Sequence, residues 1–520
     1  MKLAGAVVSA VVLAGLAILQ IPASASTAAV GPTLTAATTC ESLASLALPH
    51  AKIESAEPVA AGAFVPPAAA GRGAAVNPYA NLPAFCRVRA TLTPSSDSDI
   101  KAEVWLPASD WNGKYEAVGG GGWAGVISYP AMAAAIRAGY ATASTDTGHT
   151  GGTADFALGH PEKLIDFGYR AIHETTTFAK PVIDALYGTA PKVSFFNGCS
   201  TGGRQAITEA QRYPNDFDAI VAGASAWDGM RMHAARVAVS QMVNSNPDGV
   251  IPPSKLPTLH AAVLDACDAL DGVTDVVIEN PLQCRFDYAK LMCKDADGPD
   301  CLTRGQVESA KALTSPIRNP KTGAVIDARH LMPGAELGFG NLGGPAPLGL
   351  SSSGLANILF KDPNWDWHTF EVTKDFDRAA KADEGALFSG DANLTRFFAR
   401  GGKLLMYHGW TDQQVTPMES TIYYENVLKQ VGKDAAAKGI ALYMVPGMNH
   451  CQGGAGTDAF DKMAAIESWV ATGKPPAQIV ASHLTSGAVD KTRPLCPFPQ
   501  VAKYKGGDTN AAASFSCAAP

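Results

Sequence analysis

The sequence predicts an α/β fold: a largely parallel sheet, covered by helices on both faces and interrupted by a large insertion. Three observations carry this reading. Short apolar runs alternate with helical stretches from Tyr115 to Ala222, the alternation stops near Trp227, and it resumes at Lys403. Strands that alternate with helices join in parallel through crossovers, which cover both faces of the sheet. With 520 residues the chain has room for one large decorated domain or two ordinary ones. Its 47% hydrophobic and 17% charged residues exclude a disordered or fibrous chain. A net charge of −7 offers no general attraction to nucleic acid or an anionic membrane, so neither is an expected partner.

Taken in order, residues 1–25 read as a signal peptide. Lys2 gives a short positive start, residues 4–19 are almost wholly apolar, and Ala23-Ser24-Ala25 offers the small residues of a cleavage site. No later stretch reaches about 18 uninterrupted apolar residues, so the expected location is secreted or periplasmic. Residues 26–226 form the first part of the expected core. Its opening, 26–85, is rich in Ala, Pro and Ser and reads as an extended arm closed by Cys40 and Cys86. Residues 87–92 and 100–106 alternate apolar and polar, as half-buried antiparallel strands do. Residues 115–118 form a strand entering Gly119-Gly120-Gly121-Gly122. A helix over 131–138, a strand over 140–144, a long helix over 167–186 and a strand over 192–196 follow, then a helix through Tyr213 and a strand over 219–222. Residues 227–395 read as an inserted lid domain with four of the ten cysteines, an Asp-rich run and Gly-, Pro- and Ser-rich loops. Residues 396–520 resume the core with a strand from Lys403, a helix over 418–431 and a strand over 441–445.

The strongest chemical signal is Gly198-Cys199-Ser200-Thr201-Gly202 between a strand and a helix. In an α/β-hydrolase a G-x-S-x-G segment so placed is the nucleophile elbow, a tight turn that exposes the serine at a helix N-terminus. A packing-only glycine turn is the alternative. A serine hydroxyl needs a base, and in this fold an acid and then a histidine follow at the ends of later strands. The strand from Lys403 leads into His408-Gly409-Trp410-Thr411-Asp412, and that at 441–445 into Pro446-Gly447-Met448-Asn449-His450-Cys451. Asp412 is therefore the expected acid and His450 the expected base. His408 precedes the acid and is the nearest competitor for the base, while Asp461 and Glu419 compete for the acid. An oxyanion needs two positioned donors. One is the backbone N–H of Thr201; the other is expected from Gly121 or Gly122.

The ten cysteines suit an oxidising compartment and an even set of disulfides. None of them shows C-x-x-C spacing. Closeness favours Cys267 with Cys284, Cys293 with Cys301, and Cys496 with Cys517. Cys199 precedes the candidate nucleophile and Cys451 follows the candidate base, so a bond between them would hold the two together.

Several segments together resemble the tannase and feruloyl esterase family. They are Gly198-Cys199-Ser200-Thr201-Gly202-Gly203-Arg204-Gln205, His408-Gly409-Trp410-Thr411-Asp412 and Gly447-Met448-Asn449-His450-Cys451. The resemblance extends to Ser144-Thr145-Asp146-Thr147-Gly148-His149, Asp166-Phe167-Gly168-Tyr169-Arg170 and Asp362-Pro363-Asn364-Trp365-Asp366-Trp367, and so spans nearly the whole chain beyond the leader. It implies bonds Cys40–Cys86, Cys199–Cys451, Cys267–Cys284, Cys293–Cys301 and Cys496–Cys517. It also implies structural calcium in the lid. By resemblance Asp268, Asp271 and Asp275 give carboxylates, and Val273 and Val277 give carbonyls. Three carboxylates around a glycine turn are hard oxygen donors of the kind Ca²⁺ takes, although the run does not match an EF-hand; a solvated acidic loop is the alternative. No organic cofactor is expected.

The implied activity is that of a secreted serine carboxylesterase acting on small esters of aromatic, hydroxycinnamic-type acids. Tannase and mono(hydroxyethyl) terephthalate hydrolase activities are the alternatives within the family. Terephthalate hydrolases of the family hold a free carboxylate with a lid arginine, and residues 338–360 contain none. Leu355, Ile358, Leu359 and Phe360 are candidates for an apolar pocket or for core packing. An inactive phenolic- or carbohydrate-binding protein on the same scaffold predicts a broken triad, and a serine peptidase would cleave amides.

Overall fold

The computed structural model describes residues 38–67, 77–246 and 248–520, which form one compact unit. The expected signal peptide lies outside the described residues. A nine-stranded sheet runs through the unit. Its strands are β1 (Ala51–Val59), β2 (Phe85–Leu92), β3 (Ile100–Pro107), β4 (Lys114–Val118), β5 (Ala141–Thr145), β6 (Val193–Cys199), β7 (Ala219–Gly223), β10 (Lys403–Gly409) and β11 (Ile440–Val445). The spatial order is β1-β2-β3-β5-β4-β6-β7-β10-β11. From β5 onward all neighbours are parallel, and β1, β2 and β3 add an antiparallel flank. The parallel strands are short and apolar because helices cover both faces: β5, β7 and β11 are buried along their whole length.

Two expectations change in the antiparallel flank. The expected arm contains β1, an edge strand paired with β2 over Ala51–Val59. It has no fully buried residue, its alternation is confined to Ala51–Ser55, and Pro58 sits near its end where an edge tolerates a missing N–H. Of the polar positions of β2 and β3, Arg89, Thr91 and Lys101 reach water, whereas Arg87 and Glu103 are buried. Arg87 grips Glu103 with Nε and Nη2 at 2.9 and 2.6 Å, and Trp105 Nε1 and Tyr129 Oη donate to the same carboxylate at 3.0 and 2.9 Å. The alternation is real, but an ion pair under an aromatic cluster takes the place of solvent.

Between β7 and β10 the described residues supply no strand to the large sheet. Residues 227–395 form helices, among them Gly229–Asn244, Leu256–Cys267 and Arg304–Leu313, and a small antiparallel ladder of β8 (Ile317–Arg318) and β9 (Val325–Asp327). Their apolar side chains share one cluster with Trp123 and Phe167 of the preceding segment, so the insertion packs over the carboxyl ends of the strands. After β11 come two antiparallel pairs, β12 (Ile479–Thr485) with β13 (Ala488–Leu495), and β14 (Val501–Tyr504) with β15 (Phe515–Ala518). Five disulfides join Cys40–Cys86, Cys199–Cys451, Cys267–Cys284, Cys293–Cys301 and Cys496–Cys517, the pairing the resemblance implies.

Candidate active site

β6 ends at Cys199 and the helix Thr201–Arg212 begins two residues later, so Ser200 must reverse the chain alone. It does so at φ 62°, ψ −120°, a region that side-chain-bearing residues rarely enter. Glycines make room for the turn. A Cβ on Gly198 would lie 2.5 Å from the Gly202 carbonyl, and one on Gly203 would lie 2.1 Å from the Gly223 oxygen on β7. The strand and helix can cross this closely only where both lack side chains.

The other expected members come from the ends of β10 and β11. His450 Nδ1 lies 2.7 Å from Asp412 Oδ2. Asp412 is fully buried, and its Oδ1 accepts the backbone N–H groups of Gln414 and Val415 at 2.8 and 2.9 Å. Burial alone would raise its pKa, but hydrogen bonds from His408 and His450 outweigh it and hold the carboxyl well below the usual range. An anionic Asp412 fixes the proton of His450 on Nδ1 and leaves Nε2 as the basic nitrogen. The Cys199–Cys451 bond, with its Cα atoms 6.1 Å apart, ties the residue before Ser200 to the residue after His450 across 252 residues.

His408 has a place that sequence reasoning did not give it. It is fully buried, with Nε2 3.1 Å from Asp412 Oδ2 and 3.0 Å from the Val415 carbonyl, and Nδ1 2.8 Å from Ser420 Oγ. A carbonyl can only accept, so Nε2 carries a proton and Asp412 serves two histidines. The signal lay in the spacing: His408 is the penultimate residue of β10, four residues before the acid. Of the rival acids, Glu419 is buried and bonded to Arg329, and Asp461 caps the helix Lys462–Thr472.

The glycine run after β4 faces the elbow. The Gly119 N–H donates to Asn197 O and the Gly120 N–H to Gln205 Oε1, both at 3.0 Å, so neither is available. Gly121 is exposed, whereas Gly122 lines the same cavity as Ser200 and Thr201, and its carbonyl accepts the Thr201 hydroxyl at 2.9 Å. Gly122 is thus the better placed of the two candidates. Trp123, Phe167, Met232, Leu350 and Leu387 give this cavity apolar walls. Leu355 and Ile358 are instead buried in the insertion's core, and Phe360 stacks on Trp365 at 4.3 Å.

The acidic turn of the insertion packs against β13. Asp268 accepts the N–H groups of Asp275 and Val276 at 3.3 and 2.9 Å, and Asp271 Oδ1 accepts that of Val273 at 2.9 Å. Asp275 Oδ2 is bonded by Lys491 and Arg493. Burial, with repulsion from Asp275 and Asp268, pushes Asp271 up to about 6. The turn therefore holds hard oxygen donors of the kind a divalent cation takes, with the Asp275 carboxylate already paired with Lys491 and Arg493.

Comparison with known proteins settles the family. The tannase and feruloyl esterase model matches residues 86–339 and 347–518. The chain belongs to the tannase and feruloyl esterase family. It is 36% identical to an esterase of Xanthomonas campestris over 94% of this chain and 93% of that one. It is 30% identical to the mono(2-hydroxyethyl) terephthalate hydrolase of Piscinibacter sakaiensis, over 85% and 86% of the two chains. Feruloyl esterase B from Aspergillus oryzae superposes with a TM-score of 0.84 at 27% identity, over 92% of this chain and 99% of that structure. Membership agrees with the α/β-hydrolase architecture and with a carboxylic ester hydrolase. Among the described residues no helix is long and apolar enough to cross a membrane.

Proposed function

We propose that this family member is an exported serine carboxylesterase that hydrolyses small esters of aromatic acids through an acyl-enzyme. The observation that carries the reading is the Asp412–His450 hydrogen bond on a loop that a disulfide fastens to the Ser200 elbow. In this mechanism His450 Nε2 takes the Ser200 proton as Oγ attacks the ester carbonyl. The oxyanion is met by the Thr201 N–H and that of Gly122, with the positive end of the helix Thr201–Arg212 behind it. His450 then protonates the leaving alcohol, and water, activated by the same nitrogen, cleaves the acyl-enzyme. Asp412 stays ionised throughout and stabilises the imidazolium. The apolar cavity beside Ser200 suits an aromatic acyl group.

Calcium belongs to this proposal as a structural ion. Asp268, Asp271 and Asp275, with the carbonyls of Val273 and Val277, would hold it. It would neutralise the acidic turn and take no part in ester cleavage. Five disulfides and the leader-like residues 1–25 support export. The test is hydrolysis of methyl ferulate, methyl gallate and mono(2-hydroxyethyl) terephthalate by wild type and Ser200→Ala. Cleavage of any aromatic ester that is lost in Ser200→Ala supports the reading. Equal turnover by both proteins, or cleavage of amides in preference to esters, refutes it.

A further inference from the structure

The turn that carries the Gly122 N–H is held from two sides. The Ala124 N–H donates to the Gly121 carbonyl at 3.0 Å and closes the turn, in which Gly122 takes φ 54°, the left-handed region that favours glycine. Thr201 Oγ1 donates to the Gly122 carbonyl at 2.9 Å, so the helix behind the nucleophile holds one side. The other side rests on His149, a buried histidine that the triad does not use. Its Nε2 lies 2.8 Å from the Trp123 carbonyl. A carbonyl can only accept, so Nε2 carries a proton. Burial lowers the pKa of this ring and the charge of Lys163 acts the same way, so the ring is neutral at pH 7 with its one proton on that nitrogen. The ring itself is fixed: it stacks on Phe156 with centroids 3.8 Å apart and meets Phe167 edge-on at 5.6 Å. Its backbone is fixed as well. Asp146 Oδ1 accepts the N–H groups of Lys101 and Gly148 at 2.9 and 2.8 Å, and Thr147 takes φ 59°, an outlier for a β-branched residue. Strained backbone of this kind persists where its surroundings over-determine it, and it clusters at functional sites. A Cβ on Gly125 would collide with the His149 carbonyl, so the two turns lie in direct contact.

We propose that His149 is a positioning residue for ester cleavage: by donating to the Trp123 carbonyl it sets the turn that aims the Gly122 N–H at the oxyanion. Thr201 fixes the peptide after Gly122 and His149 the peptide after Trp123, and among the described residues the Gly122 N–H itself has no partner. An oxyanion hole works because its donors are in place before the charge develops, so a turn free to tilt would lose most of the benefit. This inference rests on the esterase reading above and gives a task to a residue outside the triad.

The test uses the full chain as wild type, His149→Gln, His149→Met and His149→Phe. Glutamine returns an N–H near the place of Nε2, methionine has a similar shape without a donor, and phenylalanine keeps the stacking without one. kcat and KM are measured on p-nitrophenyl acetate, with folding checked by circular dichroism and thermal melts. Inhibition by phenylboronic acid is compared with inhibition by benzoate. The boronic acid forms a tetrahedral adduct with a serine and so sets an oxygen where the oxyanion forms, which benzoate does not. The Met and Phe variants should lose about 10²-fold in kcat with KM within about 3-fold of wild type, the effect of displacing one oxyanion donor. Their affinity for phenylboronic acid should fall by a similar factor while that for benzoate holds. His149→Gln should stay within about 5-fold of wild type in kcat, because the hydrogen bond returns. Wild-type kcat in a folded Met or Phe variant overturns the proposal. So does an equal loss in the Gln and Met variants, or a parallel weakening of both inhibitors, since either would mean that the ring only packs. Turnover by wild type no faster than by Ser200→Ala would sink the esterase reading itself; Ser200-dependent turnover that His149→Met leaves intact removes only the role of His149.

Discussion

Replacing both Cys199 and Cys451 with alanine separates stability from alignment. Loop-closure entropy grows with the residues enclosed, so a separation of 252 corresponds to about 5.5 kcal/mol and one of 8, at Cys293–Cys301, to about 2.5 kcal/mol. Unfolding entropy of roughly 2 cal/mol/K per residue over about 480 residues turns these into Tm decreases of about 5 and 2–3 °C. Both double variants should therefore remain folded at 25 °C. Their kinetics should differ far more than their stabilities. Cys199 and Cys451 flank Ser200 and His450 directly, and a displacement of about 1 Å between such groups can lower the rate about 10²-fold. The Cys293–Cys301 bond lies in the insertion and should leave kcat on p-nitrophenyl acetate within about 2-fold of wild type, inside the scatter of substitutions far from the chemistry. The assay is kcat for both double variants at 25 °C, beside circular dichroism and a thermal melt. A folded Cys199/Cys451 variant with wild-type kcat would refute the alignment argument and leave the bond a purely structural role.

Ser200→Ala should lower kcat by at least about 10³-fold with an unchanged circular dichroism spectrum; near-normal turnover would remove Ser200 from the chemistry. His408→Gln should lower kcat by about 10-fold or more and move the acid limb of the pH–rate profile, because Asp412 loses one of its two histidines; an unmoved limb would reduce His408 to packing. Glu116 is buried beside Asn197 and burial raises its pKa from 4.5 to about 7. The native state thus holds this proton more tightly than the unfolded chain, and stability from this group is full below pH 4.5 and lost as pH rises through about 7. Glu116→Gln should then gain up to about 3 kcal/mol over wild type between pH 5 and 8, read from denaturant melts, and a pH-independent difference would contradict the assignment. Exhaustive chelation should lower Tm if calcium occupies the acidic turn; an unchanged Tm with no calcium by elemental analysis would remove the ion.

The parallel half of the sheet and the neighbourhood of Ser200 are legible in the sequence because both are written locally. A short apolar strand, a glycine-flanked serine and a helix are contiguous, and Asp412 and His450 each close a strand of their own. What escapes is what depends on distant partners. β1 is readable only through its register with β2. The burial of Arg87 and Glu103 needs the aromatic cover of Phe64, Trp105 and Tyr129. The choice between Gly121 and Gly122 turns on Thr201, 79 residues from Gly122, whose hydroxyl bonds the Gly122 carbonyl in the cavity they share. His149 finds its partner in the Trp123 carbonyl, 26 residues earlier and outside any regular element.

Four of the five disulfides join cysteines that are consecutive in the chain; Cys199 and Cys451 enclose two complete pairs. A chain oxidised as it emerges from its N-terminus presents Cys199 with Cys267 as its first available partner. Strict pairing in order of appearance would then join 199 to 267, 284 to 293 and 301 to 451, and only the first and last bonds would be native. The bond beside Ser200 must wait until β10 has docked on β7 and β11 on β10. The yield of active protein should therefore rise when a disulfide isomerase is supplied beside the oxidant, because oxidation that outpaces folding would join the Ser200 elbow to the insertion.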